Sequence, residues 1–325
     1  MNESHWLNQS VLIAGCGSIG RRHARVLHDL GIVDIRVCDP SLARIEAITT
    51  EIPVHRTYLD YADGLHDQPD AVLIGTPPEL HIPMAIQALD AGLHVFSEKP
   101  VSDSLDQIDE LGQAIKRSDK VYMVGLCFRY HGGLTLAKKY LEEGRIGRLV
   151  SIRLRMSENL AKVRPDYKSM CTLKQLGTYD LSHEVDLACW FADAPVTEIQ
   201  AMHGVYSDLG FTAPDIAQLN LRFGDRCLAS VYLDFFSKPR TRFTELMGTE
   251  GTITVKFGDW QQCTVSVYET YRSQWWKQVV PTERDFMFRS EDTEFLQAIA
   301  NGATTQCPLS EGIKSLRIIS TALAQ

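Results

Sequence analysis

Three glycines in Gly15-Cys16-Gly17-Ser18-Ile19-Gly20 follow an apolar run, Ser10–Ala14, and open a helical pattern, Ser18–Leu30. G-x-G-x-x-G in that setting is built to hold the pyrophosphate of a dinucleotide. The first glycine permits the tight turn, the second lets backbone N–H groups approach the phosphates, and the third lets helix and strand pack closely. The helix N-terminus, at Ser18 and Ile19, adds unpaired N–H groups and partial positive charge. Asp39 ends the second strand-like run, nineteen residues beyond Gly20. An acid there accepts hydrogen bonds from the adenosine ribose and repels a 2′-phosphate, so NAD is expected ahead of NADP. Arg44, a few residues on, softens that preference, and a plain turn aspartate before Pro40 is the alternative reading of Asp39.

Oxidising a secondary alcohol moves a hydride to a nicotinamide and removes the hydroxyl proton. That needs a base within hydrogen-bond reach and a cation to stabilise the developing alkoxide. Lys99, in Glu98-Lys99-Pro100, suits the cation, because it leaves the C-terminal end of a strand, where ligands collect in parallel sheets. Pro100 is expected to fix the chain there, with a cis bond as the hypothesis. Arg129, Arg164, Tyr167 and Lys168 are further substrate candidates. Arg129 and Lys168 are fixed cations suited to a carboxylate or phosphate, with an ion-paired structural cation as the alternative for each.

The elements that must position these residues alternate. Strand-like runs at 10–14, 32–38, 71–75, 93–97 and 121–126 are separated by helical patterns at 18–30, 41–49, 82–91 and 105–116. Repeated βαβ units call for a doubly wound parallel sheet. After Phe128 the texture changes. Helical patterns at 134–143, 181–191, 291–300 and 311–323 flank β-rich runs at 149–156, 197–203, 217–223, 227–235, 252–257 and 264–268. The alternation of Gln218, Asn220 and Arg222 against Leu219, Leu221 and Phe223 predicts an antiparallel sheet with one solvated face. The expected class is therefore α/β: an N-terminal Rossmann domain, 1–126, and a C-terminal α+β domain, 127–325, with an open, mainly antiparallel sheet. Trp275-Trp276 reads as packing ahead of an interface patch.

At about 150 residues per domain, 325 residues also fit two domains. Thirty-three basic against 41 acidic residues, a net charge of −8, argue against a nucleic-acid surface. No apolar run reaches the ~18 residues of a membrane span, and Met1–Ser10 lacks the apolar core of a secretory signal. The eight cysteines form no C-x-x-C and no zinc-type spacing with histidine. They are expected to be reduced core residues of a cytoplasmic protein with no metal site.

A second motif carries a resemblance. Thr76-Pro77-Pro78-Glu79-Leu80-His81 is followed by Ala91-Gly92-Leu93-His94-Val95-Phe96-Ser97-Glu98-Lys99-Pro100. This resembles the glucose–fructose oxidoreductase / inositol dehydrogenase / rhizopine-catabolism (Gfo/Idh/MocA) family. There, T-P-x-x-x-H and A-G-x-H-V-x-x-E-K-P close the Rossmann unit. The likeness continues through Phe128-Arg129-Tyr130-His131, Leu141-Glu142-Glu143-Gly144-Arg145-Ile146-Gly147-Arg148 and Leu181-Ser182-His183-Glu184-Val185-Asp186 with Trp190. It implies a nicotinamide-dependent dehydrogenase or reductase of a sugar, cyclitol or sugar nucleotide. It implies Thr76, Pro77, His81, Glu98 and Lys99 around the cofactor, with Lys99 also on the substrate. The open sheet is implied to be the interface of a homodimer or homotetramer. Gly-Ser-Ile-Gly before Arg-His, and Asp-Leu-Ser-His-Glu, are similar to members that accompany surface-polysaccharide sugar biosynthesis.

Within that resemblance His183 is the acid/base candidate, since imidazole exchanges protons near neutral pH. Asp186 reads as a supporting residue and Trp190 as core. Many members carry an aspartate four residues before this histidine, where the present chain has Tyr179 and places Asp180 three before. Positions i and i+3 share a helix face, so Asp180 is expected to orient His183 or bind a substrate hydroxyl. Two alternatives stand beside the dehydrogenase: a dinucleotide-responsive binding or regulatory protein without turnover, and an enzyme that keeps a tight NAD for epimerisation or bond cleavage.

Overall fold

The structure, a computed structural model, describes residues 5–163, 177–258 and 261–325. Two compact units emerge, Met1–Cys127 with Asp285–Leu316, and Phe128–Arg284 with Arg317–Gln325.

In the first unit, six strands are all parallel: β1 (Val11–Ala14), β2 (Ile35–Cys38), β3 (Arg56–Tyr58), β4 (Ala71–Ile74), β5 (His94–Glu98) and β6 (Tyr122–Gly125). Their spatial order is β3-β2-β1-β4-β5-β6. Every residue of β1 and β4 is buried, as strands covered on both faces require. The order reverses between β1 and β4, the place where doubly wound sheets take their ligands at the strands' carboxyl ends. Helices α1 (Ser18–Leu30), α2 (Leu42–Thr49), α3 (Tyr61–His66), α4 (His81–Asp90) and α5 (Ile108–Ser118) make the crossovers. Gly31 ends α1 in the left-handed conformation, at φ 97°.

Residues 285–316, which sequence pattern places in the second domain, belong to this first unit. They carry most of an 18-residue helix, Arg284–Asn301, far longer than the expected 291–300. Phe295 meets Phe96 at 5.7 Å, Gln9 donates to the Leu296 carbonyl, and Val124 N–H donates to the Cys307 carbonyl. Periodicity identifies a helix with an apolar face but not the sheet that face will cover.

The second unit is built on eight strands: β7 (Leu149–Asn159), β8 (Val196–Gly204), β9 (Ile216–Phe223), β10 (Cys227–Asp234), β11 (Phe236–Gly248), β12 (Gly251–Phe257), β13 (Gln262–Glu269) and β14 (Gln274–Pro281). Their order is β14-β13-β12-β11-β7-β10-β9-β8. Only β7 and β10 pair in parallel; the rest are antiparallel. The alternation expected in β9 is present, with Ala217, Leu219, Leu221 and Phe223 buried and the residues between them exposed. Helices α6 (Gly132–Glu142), α7 (Leu160–Val163) and α8 (His183–Ala192) accompany the sheet, and Arg284–Asn301 and Leu309–Leu323 follow as α9 and α10.

Sequence pattern misses β11 and β14. The inward positions of β11 include Arg242 and Thr244, buried but polar, which hides the period-2 signal. Strand β14 is an edge strand, almost wholly exposed. Trp275 and Trp276 on it are 47% and 42% exposed, so the packing expected of them is partial, against Tyr268 at 5.5 Å and Tyr140 at 5.8 Å. The seven cysteines among the described residues are buried and free of disulfides; Cys171 lies outside them. No helix among the described residues is long and apolar enough to cross a membrane.

Candidate active site

Parallel pairing puts the loops after β1, β2, β4 and β5 at one edge of the first sheet, and the dinucleotide candidates sit on those four loops. Gly15 donates its N–H to the Cys38 carbonyl and lies at φ 94°. A Cβ on Gly20 would fall 1.9 Å from the Gly15 carbonyl oxygen, so strand and helix meet only because this residue is glycine. Gly17 is the opposite case: a Cβ there meets nothing within 4 Å. Helix α1 starts at that open place with no side-chain cap and no acid in its first turn. The N–H groups of Ser18, Ile19 and Gly20 have no intrahelical partners by helical geometry. This cradle fits a pyrophosphate: it offers donors, partial positive charge and room.

Asp39 is only 2% exposed. Its Oδ2 accepts the Cys16 N–H at 2.9 Å and its Oδ1 accepts the Ser41 N–H at 2.8 Å. Arg44 Nη1 stands 3.6 Å from Oδ2. The carboxylate therefore braces the glycine loop first, and each oxygen keeps a second lone pair for a ribose hydroxyl.

After β4, Thr76 is half-buried and Pro77 exposed. His81 is not a cofactor-facing residue. It is 1% exposed, and its ring nitrogens lie 2.8 Å from the carbonyls of Pro100 and Thr76. Burial pushes its pKa down, against the pull of those two carbonyls, and the neutral ring donates to one of them at a time. His81 thus ties the Thr76 loop to the Pro100 loop. The Lys99–Pro100 bond is cis, as hypothesised. Glu98 also faces inward: Oε2 accepts the Lys99 N–H at 3.0 Å and Oε1 lies 3.0 Å from His23 Nε2. Glu98 thus holds the backbone of Lys99. Lys99 itself is half-buried.

In the second unit His183 is the first residue of α8, with its ring edge-on to Phe128 at 4.6 Å. The Arg242 guanidinium carbon lies 3.3 Å from the centroid of the Phe128 ring. Arg242 in turn pairs with Glu184, Nη2 to Oε1 at 2.5 Å. Burial pushes the Glu184 pKa up while Arg242 pulls it down, and burial prevails. Asp180 does not share a helix with His183: it ends a separate 3₁₀ turn, Gly177–Asp180, and α8 begins only at His183. The pair therefore spans a 3₁₀ turn and the start of a helix in place of the single helix expected. Tyr179, at the position of the usual aspartate, is fully buried with its hydroxyl 3.0 Å from His203 Nδ1, and burial pushes its pKa up to about 12. Arg129 is 3% exposed and grips Asp186 with two bonds, at 3.0 and 2.7 Å. The structure places it in the ion pair that was its alternative reading. Arg164, Tyr167 and Lys168 lie outside the described residues.

Sequence reasoning misses His23, Glu291, Asp292, Glu184 and Arg242. His23 sits just past the glycine loop in Gly20-Arg21-Arg22-His23, which is its only local signal. The partners of the others are too far along the chain for spacing to connect them.

Comparison with known proteins agrees with this geometry. Residues 9–126 match the Gfo/Idh/MocA family model described as "Oxidoreductase family, NAD-binding Rossmann fold", and residues 134–254 match the Gfo/Idh/MocA C-terminal domain. An inositol 2-dehydrogenase of Rhodococcus erythropolis is 27% identical over 310 residues, covering 92% of this chain and 86% of that one. The crystal structure of myo-inositol 2-dehydrogenase from Lactobacillus plantarum superposes with a TM-score of 0.84 at 23% identity, covering 98% of this chain and 96% of that one. Levoglucosan dehydrogenase in complex with NADH superposes with a TM-score of 0.86 at 19% identity, over 98% and 96% of the two chains.

Proposed function

This chain belongs to the Gfo/Idh/MocA family of oxidoreductases with an NAD-binding Rossmann domain, and from that premise we propose that it is a dehydrogenase or reductase of a sugar, cyclitol or sugar nucleotide. The observation that carries the reading is the gathering of the open Gly17 cradle, Asp39, Thr76 and Lys99 at one carboxyl edge of a parallel sheet. NAD supplies the hydride acceptor or donor at its nicotinamide carbon. The amides of Ser18, Ile19 and Gly20 bind the pyrophosphate, and Asp39 accepts from the ribose while its charge disfavours a 2′-phosphate. The Lys99 ammonium stabilises negative charge on the reacting oxygen, and Glu98 fixes the Lys99 backbone. His183 passes the hydroxyl proton. Asp180 remains a candidate for a substrate hydroxyl, from its 3₁₀ turn, and Arg164, Tyr167 and Lys168 are carried forward for substrate recognition.

The narrower form of the reading is a sugar of surface-polysaccharide biosynthesis. It rests on the Gly-Ser-Ile-Gly and Asp-Leu-Ser-His-Glu segments. The relatives' names favour polyhydroxylated rings such as inositol and levoglucosan as first substrates to try. We place the protein in the cytoplasm, where its buried free thiols stay reduced.

The open face of the second sheet is the proposed homo-oligomer interface. One row across it runs Met202, Gln218, Tyr232, Arg155, Phe243, Lys256, Thr264 and Val279. Met202 is 77% exposed and Val279 58%, a surface a partner sheet would cover.

The test is a screen of cyclitols, anhydrosugars and sugar nucleotides with NAD and NADP, followed by Lys99→Ala. Hydride transfer should fall by about 100- to 1,000-fold, with NADH affinity within about threefold of the parent. Undiminished turnover in that variant would remove Lys99 from the mechanism. NADH binding without turnover on any substrate would favour a regulatory protein.

A further inference from the structure

Behind Glu98, inside the first unit, lies a polar cluster without direct access to solvent. His23 of α1 and Glu291 of α9 are 0% exposed, Asp292 of α9 is 1% and Glu98 of β5 is 6%. His23 Nδ1 lies 2.9 and 3.1 Å from the two Asp292 oxygens, and Nε2 lies 3.0 Å from Glu98 Oε1. The rings of Phe96 and Phe288 stand edge-on to the imidazole at 5.3 and 5.4 Å. With Asp292 and Glu98 both ionised, the two contacts are hydrogen bonds only when the ring carries two protons. Burial opposes that charge, but Asp292 and then Glu98 outweigh it and hold the His23 pKa well above its ordinary value.

We propose that His23 is a positioning residue for Lys99: a doubly protonated imidazole, tied to Asp292 on one side and Glu98 on the other, that fixes the carboxylate on which the Lys99 backbone rests. The proposal rests on the role given to Lys99 above. Helix α1 then serves both ends of the reaction machinery. Its first turn offers amides to the phosphates, and one turn later its imidazolium anchors the strand end that carries the lysine.

The same groups have the look of a cation site, since ligand-type atoms of His23, Glu291 and Asp292 all lie within 4.8 Å of one another. Coordination would need a ring lone pair, which the proposed doubly protonated ring does not have. Glu291 explains itself differently. Neither of its oxygens has a hydrogen-bond partner, and burial, then the nearby Glu98 charge, hold its pKa well above the carboxylate range. Its burial thus favours the neutral acid, which adds no third negative charge to the cluster. The titratable groups around the imidazole are thus Glu98 from β5 and Glu291 and Asp292 from α9, with Glu294 acting on Glu291 from the same helix.

Nitrogen NMR of the intact protein labelled with ¹⁵N-histidine, with His23→Asn to assign the signal, reads the ring directly. Both ring nitrogens should stay protonated at neutral pH and into the alkaline range; a neutral single tautomer at pH about 7 overturns the proposal. The link to Lys99 is read by methylating lysines with ¹³C-formaldehyde and adding NADH, with Lys99→Arg to assign. In Asp292→Asn, which keeps the shape but removes the charge that holds the second proton, Lys99 should lose most of its NADH-induced shift. The other lysines should keep theirs, with NADH affinity within about threefold. An unchanged Lys99 response in a folded Asp292→Asn also overturns the proposal, by reducing the cluster to packing. If that variant does not fold, the labelled-histidine result on the unaltered protein decides. If Lys99 ignores NADH in the unaltered protein, the lysine assignment itself fails and takes this proposal with it.

Discussion

At the residue scale, function depends on where single polar groups are spent. Asp39 braces the glycine loop, and its proposed second role is to disfavour a 2′-phosphate by its charge. Asp39→Ser should weaken NADH binding and shift the NADPH-to-NADH affinity ratio toward NADPH by about tenfold or more, since 1.4 kcal/mol suffices for each factor of ten; fluorescence titration with both nucleotides checks this. Arg44, then without its 3.6 Å partner, becomes a ready phosphate ligand. His183 has a different signature. His183→Asn should lower turnover by about 100- to 10,000-fold and leave NADH binding intact, as measured by parallel kinetics and titration. A His183→Asn enzyme with normal turnover would move the proton transfer elsewhere.

At the scale of elements, the turn from β1 into α1 shows two glycines doing different work. A methyl on Gly20 collides with the Gly15 carbonyl, whereas a methyl on Gly17 enters space that no protein atom fills. Gly20→Ala should therefore cost about 1–3 kcal/mol or more of stability through overpacking. Gly17→Ala should melt close to the parent yet bind NADH at least about tenfold more weakly, a difference of about 1.4 kcal/mol. Thermal melts and NADH titrations of the two variants separate these outcomes. Equal loss of stability in both would mean that the Gly17 space is not a ligand's space. Helix α8 gives a second lesson at this scale: because it starts at His183, Asp180 lies outside it, in the 3₁₀ turn that precedes it.

At the scale of the whole molecule, buried charge sets the response to pH. His23 keeps its proton in the native state to a higher pH than in the unfolded chain, and so does Glu291. Both make the native state bind more protons than the unfolded one. Stability must then fall as pH rises, from about 4.5 upward for Glu291 and from about 6.5 upward for His23, until each folded-state pKa is passed. Asp34 and Asp67 act the other way. Hydrogen bonds from Arg36 and from Tyr58, respectively, hold their pKa values below the ordinary range, so their contribution is lost only in strong acid. Burial holds the pKa values of His81, His94 and His131 below the ordinary value, so these three oppose the decline up to about pH 6.5. Urea midpoints should therefore decline from neutral to alkaline conditions, and Glu291→Gln should flatten the decline; a midpoint that rises from neutral to alkaline pH would contradict it. The exposed row on the second sheet makes the other molecular prediction: sedimentation should show a dimer or tetramer, and Phe243→Glu should shift it toward monomer.

The sequence alone determines what local chemistry controls. The Gly15–Gly20 turn, the strand that precedes it, Asp39 at the next strand's end and Lys99 after β5 are all legible, because turn geometry and hydrophobic period act over a few residues. So is the parallel-then-antiparallel division of sheets, and the motif run from Thr76 to Pro100 carries the resemblance to the family. Only the tertiary structure decides which polar groups are consumed internally. It puts Arg129 on Asp186, turns His81 inward and spends Glu98 on His23. It also places His23 against Asp292, 269 positions away, and returns residues 285–316 to the first unit. The physical reason is the same in each case. A buried polar group must find a partner and an apolar face a cover, and both are set by packing among distant elements, which no spacing along the chain records.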